Sequence, residues 1–149
     1  MLDNLGNLKL KAADENDLKV FAAYLQDSLT KVEDIKFLEK NRSLICIFNR
    51  FMWEDAERGI FRENKRIRSA LKIDDVNFVK SKKIDAKQKE KVLEFLTINI
   101  TKNNKGDFDI NLVFSDNINI AANVEIINAT LEDFSDSWTT KIKPVHKFE

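Results

Sequence analysis

The stretch from Ser43 to Lys80 organises the chain: strand-like segments on either side of a polar bend. Residues 44–48, Leu-Ile-Cys-Ile-Phe, are apolar on both parities, as expected of a strand covered on both faces. Between Arg66 and Ile73 the alternation is strict. Ile67, Ser69, Leu71 and Ile73 point one way, and Arg66, Arg68, Ala70 and Lys72 point the other. Asp74-Asp75 then forms a tight turn into the next strand, 76–83. Two adjacent central strands therefore carry Asn49, Arg50, Trp53, Arg66 and Arg68, the most chemically loaded patch of the chain.

Around this stretch the remaining elements follow from periodicity. Residues 1–13 form a short arm, with Leu8 and Leu10 placed for an edge contact. Asp14 is a helix N-cap with Asp17 three residues on, and Leu18, Phe21, Ala22 and Leu25 make one apolar helix face. The helix stops near Gln26-Asp27, which puts Asp27 in a turn. Leu29–Leu38 is a strand bent near Glu33-Asp34, and 39–42 turns it into the next. Residues 54–64 read as a long polar loop, and 82–91 as a charged, solvated connector.

Leu96, Ile98 and Ile100 alternate with polar neighbours. So do Phe108, Ile110, Leu112 and Phe114, and then Ile118, Ile120, Ala122 and Val124. From Glu125 the spacing Ile127, Leu131, Phe134 predicts a short amphipathic helix, followed by an extended tail over 135–149. Strands that follow one another without crossover helices disfavour a parallel sheet. The expected fold is α+β: a pleckstrin-homology-like, seven-stranded antiparallel barrel or two packed sheets, with an N-terminal helix and a closing C-terminal helix. At 149 residues it forms one domain, 1–149.

Composition narrows the setting. Lys and Arg number 25 and so do Asp and Glu, so no net charge recruits nucleic acid or an anionic membrane. The absence of an aromatic-basic repeat points the same way. Cys46 is the one cysteine, which excludes an internal disulfide and fits a reducing, cytoplasmic compartment. Its apolar flanks predict a buried, inert thiol. The first residues lack a basic region followed by an apolar core, so no secretory signal is expected. No apolar window is long enough to span a bilayer.

Several fragments occur in a telling order: L25-Q-D27, N49-R-F-M-W-E54, R66-I-R-S-A-L71 with D74-D-V76, and W138-T-T with P144-V-H146. Together, from about Leu8 to His146, the chain resembles the alphaproteobacterial DUF2948 family of small cytosolic proteins. It departs in its richness in lysine, asparagine and isoleucine and in its lysine-heavy connector. The resemblance implies no activity, because that family is defined by unknown function.

Catalytic signatures are absent. One histidine and one cysteine far apart make no metal site, and G-x-G does not occur, so no metal, cofactor or catalytic residue is expected. What remains is an anion site. Arg66 and Arg68 share a strand face with Lys72, and planar guanidinium groups grip oxyanions in a bidentate way. Arg50, Trp53 and His146 complete the candidate ligand-binding set. The sequence thus describes a non-catalytic module binding a protein or a small anionic ligand, without nucleic acid or membrane. The alternative is a small enzyme acting on an anionic metabolite through Arg66, Arg68 and His146. The sequence sets no oligomeric state.

Overall fold

The computed structural model describes residues 8–53, 65–136, 138 and 139. The described chain opens with an edge strand, β1 (Lys9–Ala12), and the helix α1 (Glu15–Leu25). Asp14 caps that helix by accepting the Asp17 amide at 2.8 Å, while the Asp17 carboxylate accepts the Ala13 amide at 2.9 Å. Leu18, Phe21 and Leu25 give α1 its buried face. Asp27, with φ of 61°, turns the chain out of the helix.

The bent strand of 29–38 is β2 (Leu29–Lys31) and β3 (Ile35–Leu38), separated by a 3₁₀ turn at Val32–Asp34. Both halves lie along the same edge of β4 (Ser43–Phe51). Then come β5 (Lys65–Ile73), β6 (Val76–Lys82), β7 (Val92–Lys102), β8 (Phe108–Phe114) and β9 (Asn119–Val124). The described chain ends with β10 (Ala129–Asp133) and β11 (Trp138–Thr139).

These strands form one eleven-stranded, open antiparallel sheet in the order β1-β10-β5-β4-β2-β7-β8-β9-β6, with β3 also on β4 and β11 also on β5. The expected α+β fold is therefore corrected. One continuous sheet and, among the described residues, one α-helix replace the seven-stranded pleckstrin-homology-like barrel or paired sheets with a closing helix. The error lies in residues 125–134. Ile127, Leu131 and Phe134 fit a helical spacing, yet Ala129, Leu131 and Asp133 also alternate inward in a strand. In so short a segment the two periods overlap. Long-range pairing settles the matter, because β10 fills the gap between β1 and β5 and satisfies both their edges. The expected arm likewise becomes an ordered strand over 9–12.

The Asp74-Asp75 turn joins β5 and β6, but they do not pair; they stand third and last in the sheet. Such a short link between distant positions requires the sheet to curl on itself. Contacts across the curl agree: the Val76 amide donates to the Arg42 carbonyl at 2.9 Å, and Arg42 Nη2 donates to Asn77 Oδ1 at 2.7 Å. The core inside the curl centres on Phe48, Phe95 and Phe114, whose ring centroids lie 5.5 to 6.4 Å apart. Each such buried side chain contributes roughly 1.5–3 kcal/mol by leaving water. Among the described residues no helix is long and apolar enough to cross a membrane.

Candidate functional site

The bend between β2 and β3 makes the most distinctive surface feature. β2 pairs with β4 at Asn49, and β3 pairs with it from Ser43 to Cys46, so the ladder skips the residues between. There Thr30 Oγ1 donates to the Ile47 carbonyl at 2.6 Å, a side chain standing in for a missing strand partner. On the outer face above this gap lies a groove of about 370 Å³. Ile47 and Asn49 of β4, Leu29 and Lys31 of β2, Arg68 of β5 and Trp138 of β11 are among its lining.

Arg68 is brought there by the strict alternation of β5, which pairs it with Asn49. Its guanidinium carbon lies 5.6 Å from the centroid of the Phe134 ring. The backbone around it is fixed by Ser135 Oγ, which accepts the Arg68 amide at 3.0 Å, and by the Phe134 amide on the Arg68 carbonyl. Among the described residues, the Arg68 guanidinium makes no ion pair and donates no hydrogen bond.

Arg66 sits one pair further along the same face, opposite Trp138 and Phe51. It is more committed. Nη1 donates to the Asn49 carbonyl at 3.0 Å, and the guanidinium lies 5.8 Å from the Phe51 ring centroid. Burial lowers its pKa, and the negative charges of Asp27 and Glu94 counter that effect. Lys72 shares the face but lies at the far end of β5, 3.6 Å from Asp74.

Arg50 belongs to the opposite face. Its side chain is fully buried and forms a bidentate pair with Asp133, Nε to Oδ1 at 3.1 Å and Nη2 to Oδ2 at 2.8 Å. Ser69 Oγ donates to the same Asp133 Oδ1, and the Tyr24 ring centroid is 5.6 Å from the guanidinium carbon. Arg50 is thus a core ion pair joining β4 to β10. Trp53 donates its indole N–H to the Gln26 carbonyl at 2.9 Å and meets Phe51 edge-on, so it anchors the chain after β4 to the end of α1. His146 lies outside the described residues, as does the loop 54–64.

The structure therefore gathers Arg68, Asn49 and Trp138, sets Arg66 at their margin with Trp53 on the same Phe51 ring, and separates Lys72 and Arg50 from them. Trp138 and Lys31 were missed as site residues. Nothing local to either distinguishes it; only the pairing of β11 with β5 and the bend of β2 bring them to the groove. Cys46 is buried, its thiol 3.8 Å from Thr30 Oγ1, and burial pushes its pKa far up, so it stays protonated and unreactive. Among the described residues no cluster of histidine, cysteine or carboxylate side chains is arranged to hold a metal ion.

These features define a class: a small, predominantly antiparallel β protein with an arginine- and tryptophan-lined groove on its outer sheet face. The family model described as "Protein of unknown function (DUF2948)" matches residues 8–146, nearly the whole chain, and the protein belongs to that family. Neither a curated protein nor a solved structure matches it.

Proposed function

We propose that this protein is a non-catalytic binding module of the cytoplasm, and that its ligand is anionic and occupies the groove beside Arg68. The observation carrying this reading is the Arg68 guanidinium. It borders a groove and, among the described residues, spends none of its donors on a protein acceptor. Structural arginines are usually spent, as Arg50 is on Asp133. Arg66 adds positive charge about 7 Å away by strand geometry, and Asn49 and Lys31 supply further donors. Leu29, Ile47 and Trp138 give the groove an apolar side, so the ligand combines a charged group with an apolar or planar part. A single buried cysteine agrees with a reducing compartment.

The test is thermal unfolding with phosphate or citrate, set against chloride at matched ionic strength. Binding to the native state raises Tm with ligand concentration by mass action. These anions also stabilise proteins generally through exclusion from the surface, so the decisive quantity is the part of the shift that a variant removes. Arg68→Met, alone and with Arg66→Met, should remove the saturable part and keep the general one. An unchanged saturable shift in the double variant would show the arginines to be a solvated face.

A further inference from the structure

Charge cancels over the whole chain but not over each face of the sheet. Directly paired residues on antiparallel strands share a face. One row across β1, β10, β5, β4 and β3 reads Lys11, Thr130, Lys72, Ile45, Lys36. Arg66, Arg68 and Lys31 stand on the same outer face. Its carboxylates are fewer: Glu132 lies 4.0 Å from Lys9, Glu94 pairs with Leu29, Asp34 borders the groove, and the charge of Asp27 acts on Arg66. Asp74 tempers Lys72 from the turn beyond β5. The result is a basic face on a neutral protein.

Two large aromatic side chains stand on that face. Phe134 is 53% exposed and lies against Arg68, and Trp138 is 39% exposed at the groove. Both flank the outer side of β5, whose basic residues run in file as Arg66, Arg68 and Lys72.

We infer that this file is a track for single-stranded nucleic acid, with phosphates along Arg66, Arg68 and Lys72 and bases stacked on Trp138 and Phe134. The inference rests on the anion-binding reading above and specifies its ligand. From Arg66 to Lys72 the strand covers about 20 Å, room for several extended nucleotides. Stacking on exposed rings, beside cations that follow the backbone, is how single strands are held without base-pair readout. A duplex keeps its base faces hidden from such rings. An anionic bilayer calls for apolar side chains projecting past a ring of cations, whereas here the cations are linear and the rings lie to one side. The chain's zero net charge argued against nucleic acid, but the partner meets a face rather than a sum.

The test is fluorescence anisotropy of a labelled oligouridine of about 12 nucleotides, titrated at several salt concentrations. Affinity should fall with salt. Arg68→Ala with Lys72→Ala should reduce the log–log slope by about 1.4, the loss of two phosphate contacts on a single strand. Trp138→Ala should weaken binding about tenfold and leave the slope unchanged, because stacking releases no counterions. Lys80→Ala with Lys82→Ala, on strand β6, which does not pair with β5, should change neither quantity.

Equal loss in the Lys80/Lys82 variant, tighter binding of a duplex of the same length, or capture by phosphatidylserine vesicles without oligouridine binding would each overturn the inference. If phosphate still gives an Arg68-dependent thermal shift while oligouridine does not bind at low salt, this inference falls and the anion site stands. Failure of both measurements removes both.

Discussion

The outer faces of the two halves of this sheet are built on the same antiparallel ladder yet treat their polar groups in opposite ways. On the β7-β8-β9-β6 half lysine stands only at the β6 end of the rows, and amides and hydroxyls fill most of the rest: Thr97, Val113, Asn119 and Lys82, then Asn99, Asn111, Ala121 and Lys80. These groups satisfy one another. Asn111 Nδ2 donates to Thr101 Oγ1 at 3.0 Å and to the Asn99 carbonyl at 3.2 Å. Asn123 Nδ2 donates to Asp107 and Asp109 at 2.7 and 2.8 Å and accepts from Asn77, which itself accepts from Arg42. On the β1-β10-β5-β4 half the outer rows are basic, and Arg68 leaves its donors unspent on the described protein. A closed polar network holds a fold together, whereas an open one is available to a ligand. The same contrast recurs through one strand pair: Arg50 faces inward to Asp133, while Arg68, paired with the neighbouring Asn49, faces out.

The largest expected effect breaks the closed side of this comparison at its most buried point. Arg50→Met leaves Asp133 charged and fully buried with Ser69 as its remaining described partner. Stripping one member from a buried pair costs about 3–5 kcal/mol, read by urea unfolding. Adding Asp133→Leu should recover a large part of that loss, because the cost lies in the stranded charge and less in the attraction lost. No recovery in the double variant would mean the pair also fixes the packing of Tyr24 against β4 and β10.

Next comes the amide network. Asn123 is 3% exposed and links β6, β8 and β9 through its hydrogen bonds. Asn123→Ala removes donors from two carboxylates and should cost about 1–3 kcal/mol in the same assay. A smaller effect rides on this one. The hydrogen bond from Asn123 is the main cause holding the Asp107 carboxyl below its ordinary value. A depressed carboxyl stabilises the fold above its unfolded-state value, and that contribution is lost as pH falls through the folded-state value. Stability of the parent should therefore fall on acidification, and Asn123→Ala should show a shallower fall. Parallel pH profiles would mean Asp107 draws nothing from the network.

Elements that carry their own apolar signal were easier to read from the sequence than those set by distant neighbours. Periodicity located α1 with its Asp14 cap, the bent strand over 29–38, and the strands of 43–51, 65–73 and 108–124. Each carries its own apolar signal and needs no knowledge of its neighbours. β10 failed for the converse reason. Its five residues fit two periods, and only the edges of β1 and β5, distant in sequence, select the strand. The site divides in the same way. Alternation within β5 put Arg66 and Arg68 on one face, and Arg50 shares the inward parity of Cys46 and Phe48, a signal present in β4 but masked by its apolar outer residues Ile45 and Ile47. Trp138 reaches the groove through the register of β11 alone, and a two-residue strand carries no periodicity.

The smallest stability effect is expected at Arg68, and it is the most informative. Arg68→Met removes a cation from beside Phe134 but keeps a flexible apolar side chain there, and a thioether on an aromatic ring recovers a contact of similar size. No carboxylate among the described residues is stranded by the change, because none lies within ion-pair distance of Arg68. Urea unfolding should then agree with the parent to within about 0.5 kcal/mol, against the several kcal/mol expected for Arg50→Met. The same chemical substitution, made on neighbouring strands but on opposite faces, thus separates an arginine that holds the fold from one held out to solvent. If Arg68→Met destabilises as much as Asn123→Ala, the guanidinium braces Phe134 and the end of β10. The groove would then lose the one group that marks it as a site.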